Sequence, residues 1–566
     1  MCTHLSGPVT PRQSFLMEQC PHKILLTLTC AALWTISSAG IQHLTPTVLT
    51  EDGWLRGRQM EVEGSHRPVH GYLGIPFAAP PVGPLRFAPP QRPQPWTGIR
   101  NATSHPPMCL QRIRRTPAPF VVAASEDCLY LSVYTPTSAA QHRSPVPVMV
   151  FIHGGAFILG KSSLFYGSAL ASVGNVVVVV VQYRISVAGF LSTGDEWARG
   201  NFGFLDQVAA LQWVQRNIGQ FGGDPRQVTL FGESVGSLSV SLHALSPLSA
   251  NLFHKAILQS GSALMPVFPP LPTQLAHEAA EIAGCNDTQS QVLLQCLRNK
   301  TEDEMFQITN RVNDLYQLIP IVVDGYFLPD DPQKMFQDGK FRKIPYLMGV
   351  TTEEAVKSLV HPEVIIKPDW EAGITRDEIR EKITTYLHPL FGAENGELIF
   401  DEYFKDVYSP DLLKERYLDL FGDVFITIPT LRAAQYYRDD GNPVFLYEFQ
   451  HRASFYETRI PQFTRAPHGA ELSFVFGGPF IRDFDELLGN MSEQERQLSK
   501  SVMLYWAEFA RSGNPNLNNL PVWPMNGDHD EYMQLNLTLH VGCSLRTDKL
   551  QFWSNKPARK IAKTLI

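Results

Sequence analysis

An apolar run, Gln227-Val228-Thr229-Leu230-Phe231, leads without a break into Gly232-Glu233-Ser234-Val235-Gly236. The run has β character, and the Ser-Leu-Ser-Val-Ser-Leu-His that follows can continue as a helix. A serine on so sharp a strand-to-helix turn points its hydroxyl into an open site. Gly232 and Gly236, two positions either side of Ser234, carry no Cβ to block the turn. The spacing predicts a strand, a sharp turn carrying the serine and a helix in immediate succession.

The rest of the chain reads as the setting for such an elbow. Val146–His153 and Asn175–Tyr183 are apolar on both faces and read as buried strands. Phe202–Phe221 reads as an amphipathic helix, stopped by Phe221-Gly222-Gly223-Asp224-Pro225. Lys255–Gln259, Ile344–Val350 and Pro443–Phe449 read as further strands, and Thr47–Tyr72 as a small antiparallel meander. Strands interleaved with helices predict an α/β fold: a mostly parallel sheet covered on both faces. Ligands in such sheets bind at the carboxyl ends of strands, where the serine turn lies.

At 566 residues, 44% hydrophobic and 18% charged, the chain can bury a large core. No Gly/Ser linker, charge block or fixed-period repeat divides it, so residues 41–566 are expected to form one domain with insertions. The net charge of −7, with a basic stretch only at Lys556–Lys563, argues against nucleic acid as a partner.

Residues 1–40 read as an extension and a signal peptide. Ile24–Ile36 is apolar, preceded by Lys23 and followed by Ser38-Ala39-Gly40. Met17 is the better start for such a leader, and cleavage is expected near Gly40. The run is short for a membrane anchor. Entry into an oxidising compartment makes Cys109–Cys128 and Cys285–Cys296 plausible disulfides, leaving Cys543 as a buried, unreactive thiol. No cysteine spacing suggests zinc, and neither metal nor cofactor is expected. Asn101, Asn286, Asn299, Asn490 and Asn536 open Asn-x-Ser/Thr triplets, of which two or three are expected to carry glycans.

A serine hydroxyl needs a base, a group to orient the base, and N–H donors for the developing oxyanion. His153-Gly154-Gly155-Ala156-Phe157 directly follows the Val146–Ile152 strand. A turn there exposes the N–H groups of Gly154, Gly155 and Ala156, with Gly155 and Ala156 the expected donors beside Val235 N–H. The acid and then the histidine should follow the serine in the chain. Among 17 histidines, His468 stands out in a loop before the apolar run Leu472–Phe476, with His451 as second choice. Glu354, Glu353 and Asp324 all suit the acid, and spacing alone does not choose among them.

With these residues in place, the chain resembles the type-B carboxylesterases, the α/β-hydrolases that include the cholinesterases. The resemblance runs from about Thr47 to Trp553. It rests on Gly74-Ile75-Pro76-Phe77-Ala78-Ala79-Pro80-Pro81, Ser125-Glu126-Asp127-Cys128-Leu129-Tyr130-Leu131, His153-Gly154-Gly155, Phe221-Gly222-Gly223-Asp224-Pro225 and Phe231-Gly232-Glu233-Ser234. Further on it rests on Val323-Asp324-Gly325, His468-Gly469 with Glu471-Leu472, and Tyr505-Trp506 through Gly513-Asn514-Pro515-Asn516. Within the family the chain is most similar to vertebrate liver and intestinal carboxylesterases, nearer the intestinal type. The resemblance implies Ser234 as nucleophile, Glu354 as acid, His468 as base, and Ser260 with Glu233 as supports of that triad. It implies the two disulfides, a structural Asp324, and a cofactor-free serine ester hydrolase acting on neutral esters.

Four departures stand near the site. Val235 replaces the usual alanine after the nucleophile, and Ala156 the third glycine of the oxyanion loop. Ile185-Ser186 replaces Leu-Gly, and Ala470 stands within the usual His-Gly-Asp-Glu. Val235 and Ala156 keep their N–H groups but add methyls, which predicts a tighter or slower acyl site. The ending Lys563-Thr564-Leu565-Ile566 lacks the retrieval tetrapeptide of many relatives, so secretion is expected over residence in the endoplasmic reticulum. A catalytically weak or inactive binding protein on the same fold is the alternative reading. Adhesion-type relatives typically lack the serine. A choline-binding site calls for a tryptophan between Cys109 and Cys128, where this chain has Phe120.

Overall fold

The computed structural model describes residues 44–65, 67–112, 122–137, 144–267, 273–285, 287, 289–316, 318–355, 373–457, 464–481, 489 and 491–555. The leader, Asn286, Asn490, Phe120 and the chain's last eleven residues lie outside them.

The antiparallel beginning consists of β1 (Leu44–Thr50), β2 (Gly53–Met60) and β3 (Val69–Pro76), with the short β4 (Ile99–Asn101) beside β2. β5 (Tyr130–Pro136) pairs antiparallel with β3 and with β7. From there the sheet is parallel through β6 (Val146–Ile152), β7 (Val177–Val181), β8 (Gly223–Glu233), β9 (Lys255–Gln259), β10 (Tyr346–Thr351), β11 (Val444–Phe449) and β12 (Glu531–Leu535). An antiparallel β13 (His540–Cys543) closes the far edge. The spatial order is β1-β2-β3-β5-β7-β6-β8-β9-β10-β11-β12-β13. This is the expected mixed, mostly parallel α/β sheet, with the N-terminal meander in place.

Composition explains the centre. The five residues of β7 are all valine and all buried, and β6 is buried at every position. β-branched side chains lose rotamer freedom in a helix and pack well on a pleated surface. Two apolar clusters, one on each face, flank the sheet. Trp213 of the helix Phe202–Asn217 lies in one and Trp506 of the helix Glu493–Ser512 in the other. The first helix tightens into a 3₁₀ turn at Ile218–Phe221 and stops where Gly222 takes φ 81°, a conformation in which glycine meets no Cβ penalty.

Both cysteine pairs are bonded, Cys109 to Cys128 and Cys285 to Cys296. Cys543 departs from expectation: it is exposed. It ends the edge strand β13, which has a partner strand only on its β12 side. Of the glycan triplets, Asn101 and Asn299 are exposed and Asn536 is half-buried. No described helix is long and apolar enough to cross a membrane.

Candidate active site

β8 ends at Glu233, and the helix Val235–Leu245 begins one residue after Ser234. Ser234 itself sits at φ 59°, ψ −126°. A non-glycine residue there is strained, and such strain persists only where the surroundings impose it. The turn is packed too tightly to relax. A Cβ on Gly236 would lie 2.1 Å from the Ile152 carbonyl oxygen. Ser234 N–H donates to the Gln259 carbonyl at 2.9 Å, fastening the elbow to the end of β9.

The loop after β6 lies against the elbow. A Cβ on Gly154 would meet Glu233 Oε2 at 2.6 Å and Ser234 Cβ at 2.9 Å, so only glycine allows this approach. His153 orients the loop. Ser162 N–H donates to Gln182 Oε1, which turns the Gln182 amide NH₂ toward His153 Nε2. That nitrogen must then accept, and the ring proton sits on Nδ1, which donates to the Gly154 carbonyl at 2.9 Å. Burial lowers the His153 pKa to about 4, so the ring stays neutral. In a trans peptide the N–H points opposite the C=O, so anchoring the Gly154 oxygen aims Gly155 N–H the other way. The Gly155 carbonyl accepts from Ile158 and Leu159 N–H, which sets Ala156 N–H in the same manner. Val235 opens a helix, so its N–H has no partner within the helix. Ala156 and Val235 are nearly and fully buried, at 6% and 0% exposure.

Glu354 follows β10 by three residues, and His468 lies in the loop after Thr464. The two loops are joined by a bridge between Glu353 and Pro467. Glu353 N–H donates to the Ala466 carbonyl, and His468 N–H to the Glu353 carbonyl, both at 3.1 Å. This brings His468 Nδ1 within 2.5 Å of Glu354 Oε2. Glu354 Oε1 accepts from Ser260 Oγ at 2.8 Å and from Thr351 N–H at 2.6 Å. The structure thus brings Glu354, His468 and Ser260 together in one hydrogen-bonded cluster.

On its other side, His468 Nε2 lies 3.0 Å from Glu233 Oε1. That oxygen is off the direction a hydrogen bond requires, and Nε2 has no hydrogen-bond partner. The contact is electrostatic, and the serine–histidine hydrogen bond is unmade in this structure. Such bonds are often long in free enzymes and tighten with substrate. Burial works against charge on His468, but the Glu233 and Glu354 carboxylates outweigh it and hold its pKa well above the ordinary imidazole value.

The other candidates are engaged elsewhere. Glu353 turns its carboxylate to Arg465 N–H, and burial raises its pKa to about 7. Asp324 accepts the N–H groups of Tyr326, Phe327 and Leu328 within its own turn. His451 pairs with Glu495 at 3.0 Å. A buried acid that the sequence reading did not assign a role is Glu471, whose Oε1 accepts from Gln259 Nε2 at 3.0 Å. Its pKa is raised to about 8 by burial, with the Glu233 charge adding to the shift. The elbow, the facing N–H loop and the Glu–His pair on one sheet end define a serine-hydrolase site of the α/β-hydrolase class.

Residues 44–553 match the model of the carboxylesterase family. The chain is 41% identical to a medium-chain fatty acyl-CoA hydrolase precursor of Anas platyrhynchos, covering 94% of this chain and 96% of that one. It is 40% identical to a cocaine esterase of Homo sapiens, covering 95% and 97%. It is 42% identical to an acylcarnitine hydrolase of Mus musculus, covering 90% and 91%. The chain belongs to the carboxylesterase family, close to the vertebrate liver and intestinal carboxylesterases, and is a serine-hydrolase-type enzyme acting on esters. Membership is consistent with a secretory-pathway location.

Proposed function

We propose that Ser234 attacks the carbonyl carbon of a neutral carboxylic ester while His468 Nε2 takes the hydroxyl proton. Glu354, held by Ser260, keeps the proton of His468 on Nδ1 and stabilises the imidazolium that forms. The oxyanion is received by the N–H groups of Gly155, Ala156 and Val235, with Gly154 allowing the loop its approach. The protonated His468 gives its proton to the departing alkoxide, leaving an acyl-Ser234 ester. Water, deprotonated by His468, then cleaves that ester and frees the serine. Glu233 sets how readily His468 gives up a proton. The same steps serve amides, acylglycerols and acyl thioesters, and similarity to acyl-CoA and acylcarnitine hydrolases favours acyl chains of some length.

The observation that carries this reading is the pair of buried, hydrogen-bonded contacts from Ser260 to Glu354 and from Glu354 to His468. The test is fluorophosphonate labelling and p-nitrophenyl ester turnover, with Ser234→Ala in parallel. Stoichiometric labelling and turnover, both lost in the variant, are expected. Folded wild-type protein that does not label would overturn it.

We also infer that the leader Ile24–Ile36 directs the chain into the secretory pathway and that the product is released from the cell, with glycans on Asn101 and Asn299. Protein retained inside transfected cells with only high-mannose glycans would contradict release.

A further inference from the structure

Ser186 is a serine at φ 53°, in the left-handed backbone region that favours glycine, and it is fully buried. The hydrogen bonds of its N–H and hydroxyl reach none of the groups assigned to the reaction above. What it touches is the back of the N–H loop. Ser186 N–H donates to the Phe157 carbonyl at 2.7 Å. Its hydroxyl donates to Asn313 Oδ1 at 2.5 Å, and Asn313 Nδ2 donates to the Ile158 carbonyl at 3.3 Å.

The direction of this chain is fixed by chemistry. A backbone carbonyl only accepts, so Asn313 must turn its NH₂ to Ile158 and its oxygen to Ser186. That oxygen only accepts, so the serine must supply the proton. Alanine or glycine at 186 would leave Asn313 half-bonded and free to turn. Asn313 stands near the end of the helix Glu302–Leu315. Beyond it, Ile319 N–H donates to the Ala156 carbonyl at 3.1 Å. Three successive carbonyls, those of Ala156, Phe157 and Ile158, are thereby tied down from one side.

The loop needs such ties. Ala156 and Phe157 are themselves at φ 57° and 55°, so two adjacent non-glycine residues are strained. A loop of this kind would relax unless its far side were held, and relaxation would swing Ala156 N–H away from where the oxyanion forms. A misplacement of about an ångström at such a donor is enough to lose on the order of a hundredfold in rate.

We propose that Ser186 and Asn313 act as one positioning unit that holds the Gly155–Ala156 donors on the oxyanion formed at Ser234. This rests on the reading of Ser234 and the loop given above. Strain at 186 is retained because serine alone combines that backbone with a short hydroxyl donor.

The test compares wild type, Ser186→Ala, Asn313→Ala and the double variant. Turnover of a p-nitrophenyl ester is measured together with the inhibition constant of a trifluoromethyl ketone, whose hemiketal oxyanion occupies the same donors. Each single variant should lose about tenfold or more in kcat with KM little changed, and ketone affinity should fall in parallel. The double variant should be no worse than either single one, since both remove the same chain. Circular dichroism establishes that the variants are folded, and Asn313 is half-buried on a helix, so at least that variant folds independently of the strain at 186. Wild-type kcat and ketone affinity in folded Asn313→Ala would overturn the proposal. Losses that multiply in the double variant would also overturn it, because the two residues would then act separately. If instead Ser234→Ala, run alongside, kept its turnover, the underlying assignment of the nucleophile would fail, a result distinct from either of these.

Discussion

Ser234 and its neighbours divide their work by what each side chain meets. Glu354 has two hydrogen bonds on Oε1 and His468 on Oε2, so Glu354→Gln keeps the shape and loses the charge that the proposed reaction needs beside the imidazolium. Turnover should fall on the order of a thousandfold or more, and a fall below tenfold in steady-state kinetics would remove Glu354 from the role of acid. His468 faces two carboxylates, with Glu233 the larger contributor to its raised pKa. Only the neutral ring can act as base, so activity should rise with pH through that raised value. Glu233→Gln should move the acid limb of kcat/KM to lower pH, as read from a pH–rate profile, and an unmoved limb would show that Glu233 does not act on His468. For stability the sign is opposite. The raised His468 pKa contributes stability that is fully present below the ordinary imidazole value and is lost as pH rises through the folded one. Val235 is fully buried beside Ser234. Val235→Ala should favour bulky over acetyl esters by about tenfold and cost about 1–3 kcal/mol of stability. Equal turnover ratios in variant and wild type would dissociate Val235 from acyl choice.

At the scale of elements, the parallel strands were readable because buried strands are written as short continuous apolar runs. Lys255–Gln259 was placed to the residue and Val146–His153 to within one. β5, β12 and β13 were not read. The pattern of β5 becomes meaningful only once it has β3 and β7 as neighbours, and β13 is an exposed edge strand with no apolar face to announce it. Helix starts follow local chemistry. Thr301 opens the helix Glu302–Leu315 with a reciprocal capping box to Glu304. Thr301→Ala should cost about 1 kcal/mol in urea unfolding. Since this helix carries Asn313, a drop in kcat without the loss of stability would mean that the cap influences the site by another route.

Across the whole molecule, buried charges set the terms on which the sheet can be surrounded. Arg184 and Asp206, at 2% and 0% side-chain exposure, are paired at 2.7 Å. Asp206→Ala leaves an uncompensated guanidinium in the core and should cost about 3–5 kcal/mol by denaturant titration. Glu471 gives a pH dependence of defined sign. Its folded pKa of about 8 stands above the ordinary 4.5, so folding is unpenalised below about 4.5 and loses stability progressively as pH rises toward 8. Glu471→Gln should therefore gain on wild type in melting temperature between pH 5 and 8. Melting curves that stay parallel over this range would mean that Glu471 is not held protonated.

The sequence by itself determined the elbow at Ser234, the facing loop at His153–Phe157, the sheet class and the two disulfide pairs, because each is encoded by residues close together in the chain. Local spacing did not choose among Glu353, Glu354 and Asp324, and the expectation of Glu354 came from the family resemblance alone. What the tertiary structure adds is direction: successive glutamates at a strand end point different ways, one to His468 and its neighbour to Arg465. The exposure of Cys543 and the tautomer of His153 likewise had no local signature. The pairing of Ser186 with Asn313 spans 127 residues of sequence. Only the folded packing brings such groups within hydrogen-bond distance, and with it the strain at 186 acquires a reason.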